Sequence, residues 1–252
     1  MNVLKLIYLN VTFYLLIISF SAISIPLLSL FVAFLSLFLS HRNTMKRFRR
    51  AISFYGAVII RILPFPLIRI FYKDYSKDKG KDKGPYIFVC NHRSSSDPFL
   101  IACLPYEIVQ IVNTWPFRLP VLGVFAKWAG YLNVKRMQLK EFFSKTIELL
   151  EQGVSIVAFP EGTRSRNKKV GQFHSSMFRV ALQSRYPIVP VCISGNENKP
   201  PRGSLLLHQG IINMHKLPAL QWEQYKDLGP FKLKNKIRDI IIKELAIMEG
   251  EA

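Results

Sequence analysis

Between Leu6 and Ser40 the chain carries no charged side chain. As one helix this run measures roughly 52 Å at 1.5 Å per residue, well beyond the ~30 Å hydrocarbon core of a bilayer. Pro26 stands near its middle, where a missing N–H and a fixed φ favour a break. The pattern therefore predicts an N-terminal hydrophobic helical hairpin, with helices over about Leu6–Ile25 and Leu27–Ser40. The second helix is short for a full crossing, so a re-entrant hairpin and two crossings both stay open. A cleaved signal peptide competes, because Ser19-Phe20-Ser21-Ala22 loosely resembles a cleavage site, yet the apolar stretch continues past it.

A basic cluster follows at Arg42, Lys46, Arg47, Arg49 and Arg50. By the positive-inside rule it belongs on the cytoplasmic face, and it suits anionic head groups. Residues 51–72 carry charge only at Arg61 and Arg69, which reads as an interfacial segment or as a core helix of the next domain. Residues 73–84, with Lys-Asp-Lys-Gly twice in succession, read as a solvated linker. The expected organisation is thus 1–50 membrane anchor and basic flank, 51–84 interfacial segment and linker, and 85–252 a single catalytic domain. A chain of 252 residues accommodates one such domain plus an anchor. Its net charge of +19 admits nucleic acid, anionic lipid or phosphorylated metabolites as partners, and charge alone does not choose among them.

Beyond residue 85, buried-strand runs at Tyr86–Cys90, Ser155–Phe159 and Ile188–Ile193 alternate with helical patterns. Helices are expected from Asp97-Pro98, which supply a cap and a first-turn proline, to about Leu104; over 139–150, where Gly153 is the stop; over Phe173–Gln183; and at the C-terminus from Leu233 to Met248. Leu132–Val134 is a weak strand and 204–214 is strand-like. This alternation predicts an α/β class: a layered domain with a mostly parallel sheet flanked by helices. Cys90, Cys103 and Cys192 sit in apolar runs without metal-ligand spacing, which favours reduced core thiols and leaves a catalytic thiol at Cys90 as the alternative.

Two constellations carry chemistry. Asn91-His92-Arg93-Ser94-Ser95-Ser96-Asp97 follows a strand and precedes a helix, where side chains face a crevice. His92 is a candidate base, and a carboxylate five residues on is a candidate partner to fix its tautomer. Asp97 is equally explained as a helix cap, so this spacing alone leaves both readings open. A serine nucleophile among Ser94–Ser96 is the weaker alternative, since no Gly-x-Ser-x-Gly elbow occurs. Phe159-Pro160-Glu161-Gly162-Thr163-Arg164-Ser165 leaves a second strand. An Arg beside Gly and Thr suits a phosphate, through paired N–H donors and close backbone approach. An incidental solvated loop is the competing reading.

The two blocks in this order, about 65 residues apart, resemble the glycerophosphate and lysophosphatidate acyltransferase family. Weaker family blocks appear at Gly130–Arg136 and at Ile188-Val189-Pro190-Val191, so the resemblance covers roughly 85–200. It implies a glycerol-3-phosphate acyltransferase-like domain in which His92 and Asp97 are catalytic. Arg136, Glu161, Gly162, Thr163 and Arg164 would bind substrate, with Arg136 and Arg164 on the acceptor phosphate. The implied reaction moves an acyl group from acyl-CoA or acyl-carrier protein to the sn-2 hydroxyl of lysophosphatidate, with no bound cofactor and no metal. The implied partners are a lysophospholipid, the acyl donor and an anionic membrane, not nucleic acid, and the implied place is the cytoplasmic face of a bacterial inner membrane. Lys135 stands where the family usually has an acidic residue, and Lys168 and Lys169 where an aromatic-basic pair is common, which bears on the acceptor head group. Another lysophospholipid or a lyso-aminolipid is the alternative acceptor. A non-enzymatic basic membrane protein is the alternative class.

Overall fold

The computed structural model describes residues 2–76, 84–118 and 122–250. Contacts divide the chain into two compact units. One comprises Met1–Phe71, Ser94–Pro105 and Gly195–Ile212; the other Tyr72–Arg93, Tyr106–Ser194 and Asn213–Ala252.

In the first unit, helix α1 runs unbroken over Val3–Ser36 and contains Pro26. The expected break at Pro26 is therefore absent, and α1 is one helix rather than two. A proline removes a single N–H, and a helix can absorb that loss where its neighbours keep their own bonds. The apolar run thus forms one long helix and not a hydrophobic hairpin; a turn at residues 37–40 leads into α2 (His41–Ala57), which carries the basic cluster. Phe20 stacks on Tyr55 with centroids 5.5 Å apart, and the Ser21 and Tyr55 hydroxyls are 2.7 Å apart, which holds α1 to α2. Only Asn10 and Phe13 of α1 are buried, and the helix is long and apolar enough to cross a membrane. Asn10 donates to the Leu6 and Leu207 carbonyls and accepts the Leu207 N–H at 2.7 Å, so the buried amide fastens the 205–207 segment to the helix.

Residues 51–72 depart from the single segment expected. Helix α2 ends at Ala57, a π-helical turn covers Val58–Ile62, and strand β1 begins at Ile68 and ends at Asp74. Lys73 and Asp74 thus belong to a strand rather than to the linker; residues 77–83 of that linker lie outside the described residues. The short helix α3 spans Asp97–Ile101.

The second unit is built around the sheet. Its strands are β2 (Ile87–Cys90), β3 (Ile108–Val112), β4 (Leu132–Asn133), β5 (Ser155–Ala158), β6 (Ile188–Ser194) and β7 (Gly210–Lys216), the last entering from the first unit as β1 does. The order across the sheet is β1-β7-β6-β2-β5-β3-β4. β2 pairs parallel with both β5 and β6, β3 pairs parallel with β5 and β4, and β7 runs antiparallel to β6. β2, β5 and β6 are buried at every position, as a sheet covered on both faces requires. The helices α4 (Leu122–Trp128), α5 (Leu139–Glu151), α6 (Ser176–Ser184) and α7 (Pro230–Glu249) complete the layers. In α7, Leu233, Ile237, Ile241 and Leu245 recur every fourth residue and are all buried, each contributing roughly 1.5–3 kcal/mol. The expected mostly parallel α/β sheet is present. The strand-like expectation over 204–214 fits only its end, since β7 starts at Gly210.

Candidate active site

Because β2, β5, β3 and β4 are parallel, their carboxyl ends share one edge of the sheet, where open α/β sheets gather ligands. His92 stands two residues beyond β2, and Glu161–Arg164 begin three residues beyond β5, the adjacent strand. The two loops are bonded together. The His92 N–H donates to Glu161 Oε1 at 2.7 Å, and the Ser165 N–H donates to the His92 carbonyl at 2.8 Å. The His92 ring packs on Phe159 with centroids 4.8 Å apart.

Glu161 is buried, and its second oxygen accepts the Gly171 N–H at 2.7 Å. A buried carboxylate is tolerated where amides satisfy it, and here it ties the strand end carrying His92 to the far side of the 161–171 loop. Glu161 therefore shapes the site through backbone. Gly162 takes φ +69°, and a Cβ there would lie 3.1 Å from Nε2 of His174. Gly162 and Thr163 are exposed and Arg164 is half-exposed, which leaves this loop open to a ligand.

Arg136 is exposed and follows β4. β4 is three strand positions from β2, whereas β5 is one. At ~4.8 Å per step this sets Arg136 on a strand about 14 Å from the one that carries His92. Arg164 thus springs from much nearer His92 than Arg136 does. Lys135, Lys168 and Lys169 are all exposed.

In the first unit, Asp97 is fully buried at the start of α3. Ser96, not Asp97, holds the N-cap position, which corrects the capping role the sequence offered for Asp97. Its Oδ2 accepts the Ser94 N–H at 2.9 Å, and its Oδ1 accepts the side-chain amide of Asn196. Ser94 and Ser96 are buried with their hydroxyls 3.1 Å apart, a poor posture for nucleophiles.

Three residues escaped the sequence reading. Asn91 bonds both the N–H and the carbonyl of Ile193 with its side chain, stitching the end of β2 to β6. Arg93, also buried, pairs with Glu249 of α7. Asn196 is the third. Asn91 and Arg93 lie within the His-x4-Asp block, so position was the signal; for Asn196 it was a Gly-Asn pair directly after a buried strand. None of the cysteines forms a disulfide. Cys90 is fully buried, and burial pushes the Cys192 thiol far above its ordinary range, which suits packing rather than nucleophilic attack. Among the described residues, no group of three or more His, Cys, Asp or Glu is arranged to hold a metal ion.

The parallel sheet thus presents His92 and the Glu161–Arg164 loop beyond the ends of two adjacent strands, tied to one another by backbone bonds. Residues 71–194 match the family model described as Acyltransferase. A chloroplastic 1-acyl-sn-glycerol-3-phosphate acyltransferase of Brassica napus is 32% identical over 51% of this chain and 37% of its own length. The 1-acyl-sn-glycerol-3-phosphate acyltransferase of Escherichia coli K12 is 26% identical over 67% of this chain and 70% of its own. This chain spans about two fifths of the length of its Brassica napus and Arabidopsis thaliana relatives, 37% and 42%. The crystal structure of the 1-acyl-sn-glycerophosphate acyltransferase PlsC from Thermotoga maritima shares the fold, with a TM-score of 0.78, 20% identity, and 99% and 98% of the two chains covered.

Proposed function

We propose that the chain transfers a fatty acyl group from an acyl thioester to the sn-2 hydroxyl of lysophosphatidate at a membrane surface, forming phosphatidate. The observation that carries this reading is the pair of bonds that fastens His92 to the Glu161–Ser165 loop, since it sets a base beside an Arg- and Gly-bearing loop open to ligand. His92 takes the proton from the sn-2 hydroxyl, whose oxygen attacks the thioester carbonyl. The C–S bond breaks, and the leaving thiolate takes the proton back from the imidazolium. Asp97 orients and stabilises the charged ring, in the role a buried carboxylate plays for a general-base histidine. Arg164 holds the acceptor phosphate, with Arg136 contributing from further along the sheet edge, and Gly162 and Thr163 line the approach. No resident cofactor is required; acyl-CoA or acyl-carrier protein is a co-substrate.

The exposed apolar α1 and the basic start of α2 support placing the site against anionic lipid on the cytoplasmic side, where an acceptor that stays in the bilayer is delivered and water is kept from the thioester. The test uses purified protein in liposomes with labelled acyl-CoA and a panel of lysolipids. Lysophosphatidate should be the preferred acceptor, and His92→Ala should abolish transfer while flotation with liposomes is unchanged. Full activity in His92→Ala removes His92 from the mechanism. Exposed Lys135 favours a second reading, in which another lysophospholipid is the acceptor; preference for that lipid in the panel would select it.

A further inference from the structure

We propose that Asn196 is a positioning residue for the acyl transfer, acting through Asp97, and this inference rests on the catalytic reading of Asp97 given above. Asn196 and Asp97 are both fully buried at 0% exposure. A carboxylate only accepts, so the contact between them must be the amide N–H of Asn196 donating to Asp97 Oδ1. The other oxygen is engaged by the Ser94 N–H at 2.9 Å. The two oxygens of Asp97 thus receive donors from two separate segments, and the plane of the carboxylate is fixed. Burying a carboxylate is costly unless its oxygens are hydrogen-bonded.

Asn196 reaches this position through a turn that few other sequences could make. Gly195 takes φ +78°, and a Cβ there would lie 2.4 Å from the carbonyl oxygen of Ile211, a backbone atom that cannot swing aside. Asn196 accepts the Lys199 N–H at 3.0 Å through its own carbonyl, closing the turn. Its side-chain Oδ1, by contrast, is buried with no hydrogen-bond partner among the described residues. Leaving that acceptor unmet is unfavourable, and an apolar residue of similar size would fill the space without the penalty. The amide is therefore explained by the donor it offers Asp97, not by packing.

Asn196→Ala removes the donor, and Asn196→Ser keeps a shorter one. Both are measured for kcat and for the two KM values in the liposome assay, beside thermal melts and the variants Asp97→Ala and Asp97→Ala/Asn196→Ala. A lost hydrogen bond to a charged group corresponds to about a 10- to 100-fold fall in kcat. Asn196→Ala should show that fall with both KM values within about twofold, Asn196→Ser a smaller one, and the double variant should be no slower than Asp97→Ala. Overturning results are a kcat for Asn196→Ala within about twofold of the parent, a change confined to KM, or activity in the serine variant no better than in the alanine variant while both melt like the parent. A double variant slower than Asp97→Ala by the factor seen in the single would also overturn it. Failure of the catalytic reading looks different, because His92→Ala and Asp97→Ala would then themselves remain active.

Discussion

The backbone N–H of His92 lies 2.7 Å from Oε1 of Glu161, while Oε2 of the same carboxylate lies 2.7 Å from the Gly171 N–H. A side chain from the loop after β5 therefore governs where the loop after β2 sets its histidine. Glu161→Gln keeps the shape but turns one of the two acceptors into a donor facing a backbone N–H. Leaving a buried amide unmet costs about 1–3 kcal/mol. The expected result is a melting temperature several degrees lower and a kcat down at least about tenfold, with KM for the acceptor little changed. A variant with parental kcat would show that His92 is held by other contacts.

The strand order separates the two arginines. Arg164 follows β5, next to β2, and Arg136 follows β4, three positions away. Arg164→Ala should raise KM for lysophosphatidate by about tenfold or more, the size of one charge-assisted phosphate contact. Arg136→Ala should raise it by less, about threefold, and kcat should change little in either. Equal effects would mean that the acceptor phosphate lies midway between them.

The sheet centre was legible because β2, β5 and β6 are short continuous apolar runs, the signature of strands buried on both faces. β3 was not, since Ile-Val-Gln-Ile-Val carries a polar residue at its centre, Gln110, which is nonetheless buried. β1 alternates as buried Ile68, exposed Arg69, half-buried Ile70 and exposed Phe71; an aromatic on the outer face hid the period. Pro26 misled for a physical reason: helix-breaking by proline is a local tendency, and α1 continues through it. The His92 and Glu161 blocks were readable as motifs. Their mutual bonds were not, because spacing in sequence carries no information about which loop holds which.

Gly162 offers a separate test of the loop. Its φ of +69° strains any L side chain, while the nearest atom to an added Cβ is the tip of the exposed His174 side chain. A flexible tip can move and a backbone angle here cannot, so strain of roughly 1–2 kcal/mol should dominate over the clash. Gly162→Ala should lower the melting temperature, and adding His174→Ala should not restore it. Recovery in the double variant would assign the cost to the contact instead.

An ion pair at the edge of the sheet makes stability depend on pH. Lys216 Nζ lies 3.2 Å from Asp74 Oδ2, and Asp74 Oδ1 also accepts the Ser76 N–H at 2.9 Å. Partial burial works against ionising Asp74, but the bonds from Ser76 and Lys216 outweigh it and hold the carboxyl below its ordinary value. Burial likewise works against charge on Lys216, yet hydrogen bonds to Tyr106 and Asp74 raise it above its ordinary value. A lowered carboxyl stabilises the fold above about pH 3.9 and loses that contribution as pH falls through the folded-state value. A raised amine stabilises it below about pH 10.4 and loses that contribution as pH rises through its own folded-state value. The pair therefore contributes fully across the window between. Asp74→Asn should melt below the parent at neutral pH, and the gap should close only as pH drops below about 4. Melts of both proteins from about pH 2.5 to 8 decide the matter: a gap constant with pH would mean that Asp74 acts through packing and not through its charge.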